Sequence, residues 1–237
     1  MPQITLIGFD ADDTLWQNET FFRLTQTRFA GLLADHAEAD HLHERLLAAE
    51  RRNLGHYGFG VKAFTLSMIE TAIEVTDGQV PARVISELIV AGREMLSHPI
   101  ELLHGARKAV ESLARTHHIV LITKGDLLDQ ERKLAQSGLG DLFHGVEIVS
   151  HKTPQSYGAI FARHGVDPGG ALMVGNSLRS DVLPVIEIGG WGVHIPHGLT
   201  WALENADEPL GHPRFHSLPV IGDLPDLVDR CMANHNP

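Results

Sequence analysis

"IGFDADDTLW", residues 7–16, is the stretch on which the reading of the chain turns. With Ile4, Thr5 and Leu6 ahead of it, it opens as an apolar run of strand length. It then places three aspartates within four positions: Asp10, Asp12 and Asp13. Like charges repel, and carboxylates at the end of a buried strand are costly to desolvate, so this crowding asks for a counter-charge.

Four further apolar runs read as buried strands: residues 118–123, 146–150, 171–175 and 191–195. Helical patterns separate them. In 101–117, Leu102, Ala106, Ala109, Val110 and Leu113 recur near helical spacing. Residues 126–137 stop at Gly138, 153–164 carry Pro154 in the first turn and end before Gly165, and 179–188 stop at Gly189 and Gly190. Strands alternating with helices predict an α/β domain, a parallel sheet covered on both faces. Residues 16–99 contain no strand-like run. Helical patterns cover 19–36, 40–53, 61–75 and 81–96, broken by "GHYGFG" (55–60) and "TDGQVP" (76–81). The expected organisation is a core from residues 1–15 and 100–237 with an all-helical insertion at 16–99. Residues 218–230, "LPVIGDLPDLVDR", read as a last strand and a short helix.

Composition narrows the function. An apolar fraction of 43% and a charged fraction of 21% fit an ordinary soluble globular protein. A net charge of −11 and a pI near 5.8 argue against gripping nucleic-acid backbones through a basic face. No run approaches the length of a membrane span, and no secretory signal is visible, so neither membrane nor export is expected. The single cysteine, Cys231, fits a reducing cytosol. The sixteen histidines are scattered without a metal-ligand spacing; His41 and His43, two apart, fall on different helix faces.

Ligands of open α/β sheets bind at the carboxyl ends of the strands. Four polar signals fall there in order: Asp10, Asp12 and Asp13 after the first strand; Thr123, Lys124 and Gly125 after the second; His151 and Lys152 after the third; "GNSLRSD" (175–181) after the fourth. Together they resemble the haloacid dehalogenase superfamily of aspartate-nucleophile hydrolases. The Asp-x-Asp-x-Thr motif matches residues 10–14, the strand-end Ser/Thr matches Thr123, and the Lys before a helix matches Lys152. The acidic pair after a strand is matched only in part, by Asn176 and Asp181.

The resemblance implies a Rossmann-like core, with residues 16–99 as a helical, C1-type cap. It also implies a Mg²⁺-dependent phosphatase for a small phosphorylated metabolite. A carboxylate attacking phosphorus gives an aspartyl-phosphate and splits hydrolysis into two easier steps. That role falls to Asp10. Asp12 is the acid that protonates the leaving oxygen and the base that activates water. Superfamily members that cleave carbon–halogen bonds lack an acid here, because halide leaves unprotonated. The expected Mg²⁺ ligands are Asp10, the Asp12 backbone carbonyl, Asn176 and Asp181. Asn176 departs from the commoner Asp and brings no charge. Phosphate contacts are expected from Thr123, the N–H groups of Lys124 and Gly125, and Lys152, while Asp13 shapes the turn.

Trp16 and Asn18, close behind the nucleophile, and His56, Tyr57 and Lys62 in the insertion are candidate substrate contacts. For the "GHYGFG" residues, packing at a helix–helix turn is the plainer reading. Three alternatives compete: a haloacid dehalogenase-type hydrolase, a catalytically weak phosphate-compound binder, and a phosphorylatable receiver domain. A receiver carries its acceptor on a later strand and needs no insertion.

Overall fold

The computed structural model describes residues 3–233. Its strands are β1 (Leu6–Phe9), β2 (His118–Lys124), β3 (Gly145–Val149), β4 (Ala171–Gly175), β5 (Trp191–His194) and β6 (Phe215–Ser217). Its helices are α1 (Glu19–Leu32), α2 (Ala39–Tyr57), α3 (Val61–Val75), α4 (Ala82–Ser97), α5 (Ala106–Leu113), α6 (Leu127–Ser137), α7 (Pro154–Arg163), α8 (Leu183–Glu187) and α9 (Leu224–Ala233). They divide into two compact units, one of residues 3–17, 100–124 and 130–233, the other of 18–99 and 125–129.

The first unit is the expected α/β, Rossmann-like core. Its sheet runs β3-β2-β1-β4-β5-β6, parallel at every pairing. β1 lies between β2 and β4 and is buried along its whole length. The period of two along β1 serves two cores. Ile7 and Phe9 join the cluster holding Ala109 and Val110 of α5 and Leu227 and Val228 of α9. Leu6 joins the cluster holding Tyr157, Ile160 and Phe161 of α7. Gly8 answers to close approach: a Cβ there would lie 2.8 Å from Ile122 Cδ1 and 2.9 Å from Met173 Sδ, on the two flanking strands. Strand order reverses at β1, so the crevice at the carboxyl ends of β1 and β4 is where a ligand of such a sheet belongs.

Three segments differ from the sequence reading, each for a local reason. Residues 101–117 form helix only at α5, because Gly105 is left-handed (φ 83°) and Leu102 pairs with Trp16 in an antiparallel bridge. Residues 179–188 are not one α-helix: a wide π turn, Leu178–Val182, precedes α8. The last strand precedes 218–230, at Phe215–Ser217, and that stretch supplies a tight turn and most of α9.

The second unit contains helices α1 to α4. Phe29, Leu33, Leu42, Leu46, Phe64, Met68 and Leu88 form its core. Surface ion pairs join Arg28 to Glu87 and Glu94, and Arg45 and Arg52 to Glu74. Exposed pairs contribute at most about 1 kcal/mol each, so apolar packing holds this unit together. α2 continues through Tyr57, and the break falls at Gly58 (φ 72°), so His56 and Tyr57 are helical where the sequence suggested a turn. Among the described residues no helix is long and apolar enough to cross a membrane.

Candidate active site

Asp10 follows β1 directly, and its N–H donates to the Val174 carbonyl at 2.9 Å, carrying the β1–β4 ladder one residue further. The chain then turns tightly. Asp13 takes a left-handed conformation (φ 60°), which Asp tolerates better than most residues, and its N–H donates to the Trp16 carbonyl at 2.8 Å. This turn folds Thr14 back inside. Its hydroxyl donates to Asp10 Oδ2 at 2.8 Å and accepts the Asn176 N–H at 3.0 Å. One buried hydroxyl therefore ties the first motif to the fourth.

Lys152 arrives from the loop before α7. A capping box between Thr153 and Ser156, with Pro154 in the first turn, fixes where that helix starts. The Lys152 ammonium donates to Asp10 Oδ1 at 2.5 Å and to Asp181 Oδ1 at 2.7 Å, with all three side chains largely buried. Asp181 sits in the π turn, and its Oδ2 accepts the Ser177 N–H at 3.0 Å. Gly175 makes room for it: a Cβ there would overlap the Asp181 carboxylate.

Burial pushes the Asp10 carboxyl up to about 7; Lys152 pulls it down and Asp181 adds repulsion. Burial alone would lower Lys152, but Asp10 and Asp181 reverse this and hold its ammonium above the ordinary range. Two carboxylates share one ammonium, so when both are ionised one negative charge is in excess. Removing one partner from a buried ion pair strands the other, at a cost of roughly 3–5 kcal/mol. Lys152→Met is therefore expected to lose about that much stability in urea denaturation without added metal; a loss below about 1 kcal/mol would mean the triad is not coupled as described.

Asp12 belongs to a separate polar cluster. Its Oδ1 accepts from Trp16 Nε1 at 2.8 Å and Lys133 Nζ at 2.9 Å, and its Oδ2 from Gln130 Nε2 at 2.8 Å. Gln130 and Lys133 are three apart on α6 and so share a face. Burial works to raise this carboxyl, but Lys133, Gln130 and Trp16 outweigh it and hold Asp12 below the usual range. Trp16 is fully buried behind Asp12.

Thr123 is buried at the end of β2, its hydroxyl 3.3 Å from the Lys124 carbonyl. The Lys124 ammonium is engaged by Ser180 Oγ at 2.8 Å and Glu204 at 2.5 Å. Gly125 (φ 129°) is grouped with the second unit. There, Asn18 precedes α1, His56 is exposed, and the half-exposed Tyr57 donates its hydroxyl to Glu70 at 3.0 Å. Lys62 pairs with Asp126 at 3.3 Å, at the start of α3.

The structure thus brings Asp10, Lys152 and Asp181 into direct contact, with Asn176 joined to them through Thr14. Sequence reading quoted Thr14 without a role and passed over Gln130, Lys133, Ser177, Ser180 and Glu204. Buried polar residues three apart on α6 were the available signal for the first pair. Among the described residues, no three Asp, Glu, His or Cys side chains gather as a metal site. Asp10 and Asp181 on Lys152, with Asn176 tied in through Thr14, nevertheless supply oxygen donors of the kind that a hard cation takes.

Comparison with known proteins agrees with the fold. The haloacid dehalogenase-like hydrolase family matches residues 4–189. No curated protein matches the chain. Among solved structures, a haloacid dehalogenase-like family hydrolase from Xanthomonas campestris is 44% identical, with a TM-score of 0.87 over 98% of this chain and 93% of that one. An L-2-haloacid dehalogenase from Xanthobacter autotrophicus, with chloropropionic acid covalently bound, is 20% identical, with a TM-score of 0.68 over 96% of this chain and 99% of that one. A predicted phosphoglycolate phosphatase from Haemophilus somnus is 17% identical, with a TM-score of 0.66 over the same shares. The last two share the fold and point to different substrates. By the family match and the 44% identity, the chain belongs to the haloacid dehalogenase-like hydrolases.

Proposed function

We propose that this hydrolase is a Mg²⁺-dependent phosphatase acting on a small phosphomonoester through an aspartyl-phosphate. The observation that carries the reading is Asp12, a second carboxylate two residues after Asp10, held in place by three donors. Carbon–halogen hydrolysis has no use for an acid there, whereas a departing alkoxide needs a proton.

In the first step an Asp10 oxygen attacks phosphorus, and the ester P–O bond breaks toward the leaving oxygen, which takes a proton from Asp12. In the second, water gives a proton to Asp12 and attacks phosphorus, releasing phosphate and regenerating Asp10. Asp12 is ionised while Lys133 and Gln130 hold it, the form suited to the second step. Donation in the first step requires its release from that clamp. Trp16, being buried, positions Asp12 instead of touching substrate. Lys152 offsets charge on Asp10 and the phosphoryl group, while Thr14 fixes the carboxylate that attacks. Thr123 and the Lys124 N–H serve the phosphoryl oxygens. Asp10, Asn176, Asp181 and the Asp12 carbonyl would hold Mg²⁺, which supplies positive charge between carboxylate and phosphoryl group when bound.

A haloacid dehalogenase-type hydrolase is the second reading. It draws on Asn176, which adds no charge for a cation, and on Lys152, which already neutralises part of the Asp10–Asp181 pair. Hydrolysis of p-nitrophenyl phosphate separates the two. We expect phosphate release that stops on chelation and returns with Mg²⁺. No release from any of a broad phosphomonoester panel would overturn the phosphatase.

A further inference from the structure

Glu204 lies outside all four motifs, in the stretch of residues 195–214 between β5 and β6. Its carboxylate is largely buried and is met by three donors: Lys124 Nζ, Ser177 Oγ and Ser180 Oγ, each at 2.5 Å. Lys124 directly follows Thr123 on β2. Ser177 and Ser180 stand in the turn that carries Asn176 and Asp181. That turn is closed further by the Ser180 N–H, which donates to Ser177 Oγ at 3.0 Å. Neighbours reinforce the attachment. Arg179 donates to the Leu203 carbonyl at 3.1 Å, a His194 ring nitrogen lies 3.1 Å from the Asn176 carbonyl, and His197 lies 3.7 Å from Asp13.

A lone surface ion pair would warrant no functional reading. Glu204 differs in two respects: it is largely buried with all three donors charged or hydroxylic, and those donors come from two separate segments of the site, the end of β2 and the residue 176–181 turn. We infer that Glu204 is a positioning residue that locks the residue 176–181 turn to the end of β2, setting where Asn176 and Asp181 present their oxygens. The consequence for metal rests on the phosphatase reading above. There the lock matters more than it would in a site with two aspartates. A carboxylate attracts a cation through net charge over several ångströms, whereas a neutral amide oxygen contributes a dipole whose effect depends on direction.

Hydrogen exchange read by mass spectrometry tests the lock without reference to activity. In Glu204→Ala, a peptide spanning residues 175–182 is expected to exchange roughly 10-fold faster or more, the effect of losing hydrogen bonds to a charged group. A peptide covering β1 should be unchanged. In the same variant, and in the isosteric Glu204→Gln, the Mg²⁺ concentration for half-maximal p-nitrophenyl phosphate hydrolysis should rise about 10-fold, with KM for the ester nearly constant. Merely structural loosening would move both constants together. Unchanged exchange at 175–182, or acceleration spread equally over all peptides, overturns the inference. If Glu204→Ala does not fold, Ser180→Ala removes a single donor, and the same peptide must still exchange faster. A wild type with no phosphatase activity would sink the proposed function, while the exchange result would still decide the role of Glu204.

Discussion

Asp10→Asn is expected to lose more than about 10⁴-fold in turnover while remaining folded, because the substitution removes the nucleophile and keeps its shape. Its stability adds an independent check. Burial holds the Asp10 carboxyl up at about 7 in the folded chain, against an ordinary 3.8, so between those limits the folded state binds more protons. Stability from this group therefore falls as pH rises from about 4 to about 7 and is level above that. The neutral Asn escapes that penalty, so at pH 8 the variant should unfold in urea no more easily than wild type. In wild type at low Mg²⁺, kcat/KM should rise with pH through about 7 as Asp10 ionises. Added Mg²⁺ should move that limb to lower pH, since a nearby cation favours the carboxylate. Turnover above about one per cent in Asp10→Asn would place the nucleophile elsewhere.

Asp12→Asn has the second large effect, and it depends on the leaving group. For an alkyl phosphate, loss of the general acid should cost about 10²–10⁴-fold in the first step. For p-nitrophenyl phosphate the first step should be nearly spared, because nitrophenolate departs without a proton. The second step still lacks its base. The variant should therefore release a burst of nearly one nitrophenolate per site and then stall as the aspartyl-phosphate accumulates. Rapid mixing reads the burst directly. Equal losses for both esters in the first turnover would deny Asp12 the role of acid.

The parallel core was legible in the sequence because it follows from local pattern: short apolar runs of strand length, helices of clear period, and polar residues where each strand ends. Residues 101–117 misled because their helical spacing is real, yet the left-handed Gly105 and the Leu102–Trp16 bridge set the start of α5. Residues 179–188 misled because Asp181 must reach inward toward Lys152, which the wide π turn achieves and a regular helix does not show in its spacing. Asp10, Lys152 and Asp181 were readable as a group from their order along the chain. Gln130, Lys133 and Glu204 were not, because each acts through tertiary contacts 24 to 121 positions away, and Glu204 lies in a stretch without periodicity.

The most direct measurement offers wild-type protein a phosphomonoester and 2-chloropropionate side by side, with Mg²⁺ and with chelator, and quantifies phosphate and chloride. Asp12 beside Asp10 predicts phosphate release that requires Mg²⁺, with no chloride above background in either condition. Chloride release that persists in chelator, with no phosphate formed, would contradict the phosphatase and assign Asp10 to attack on carbon.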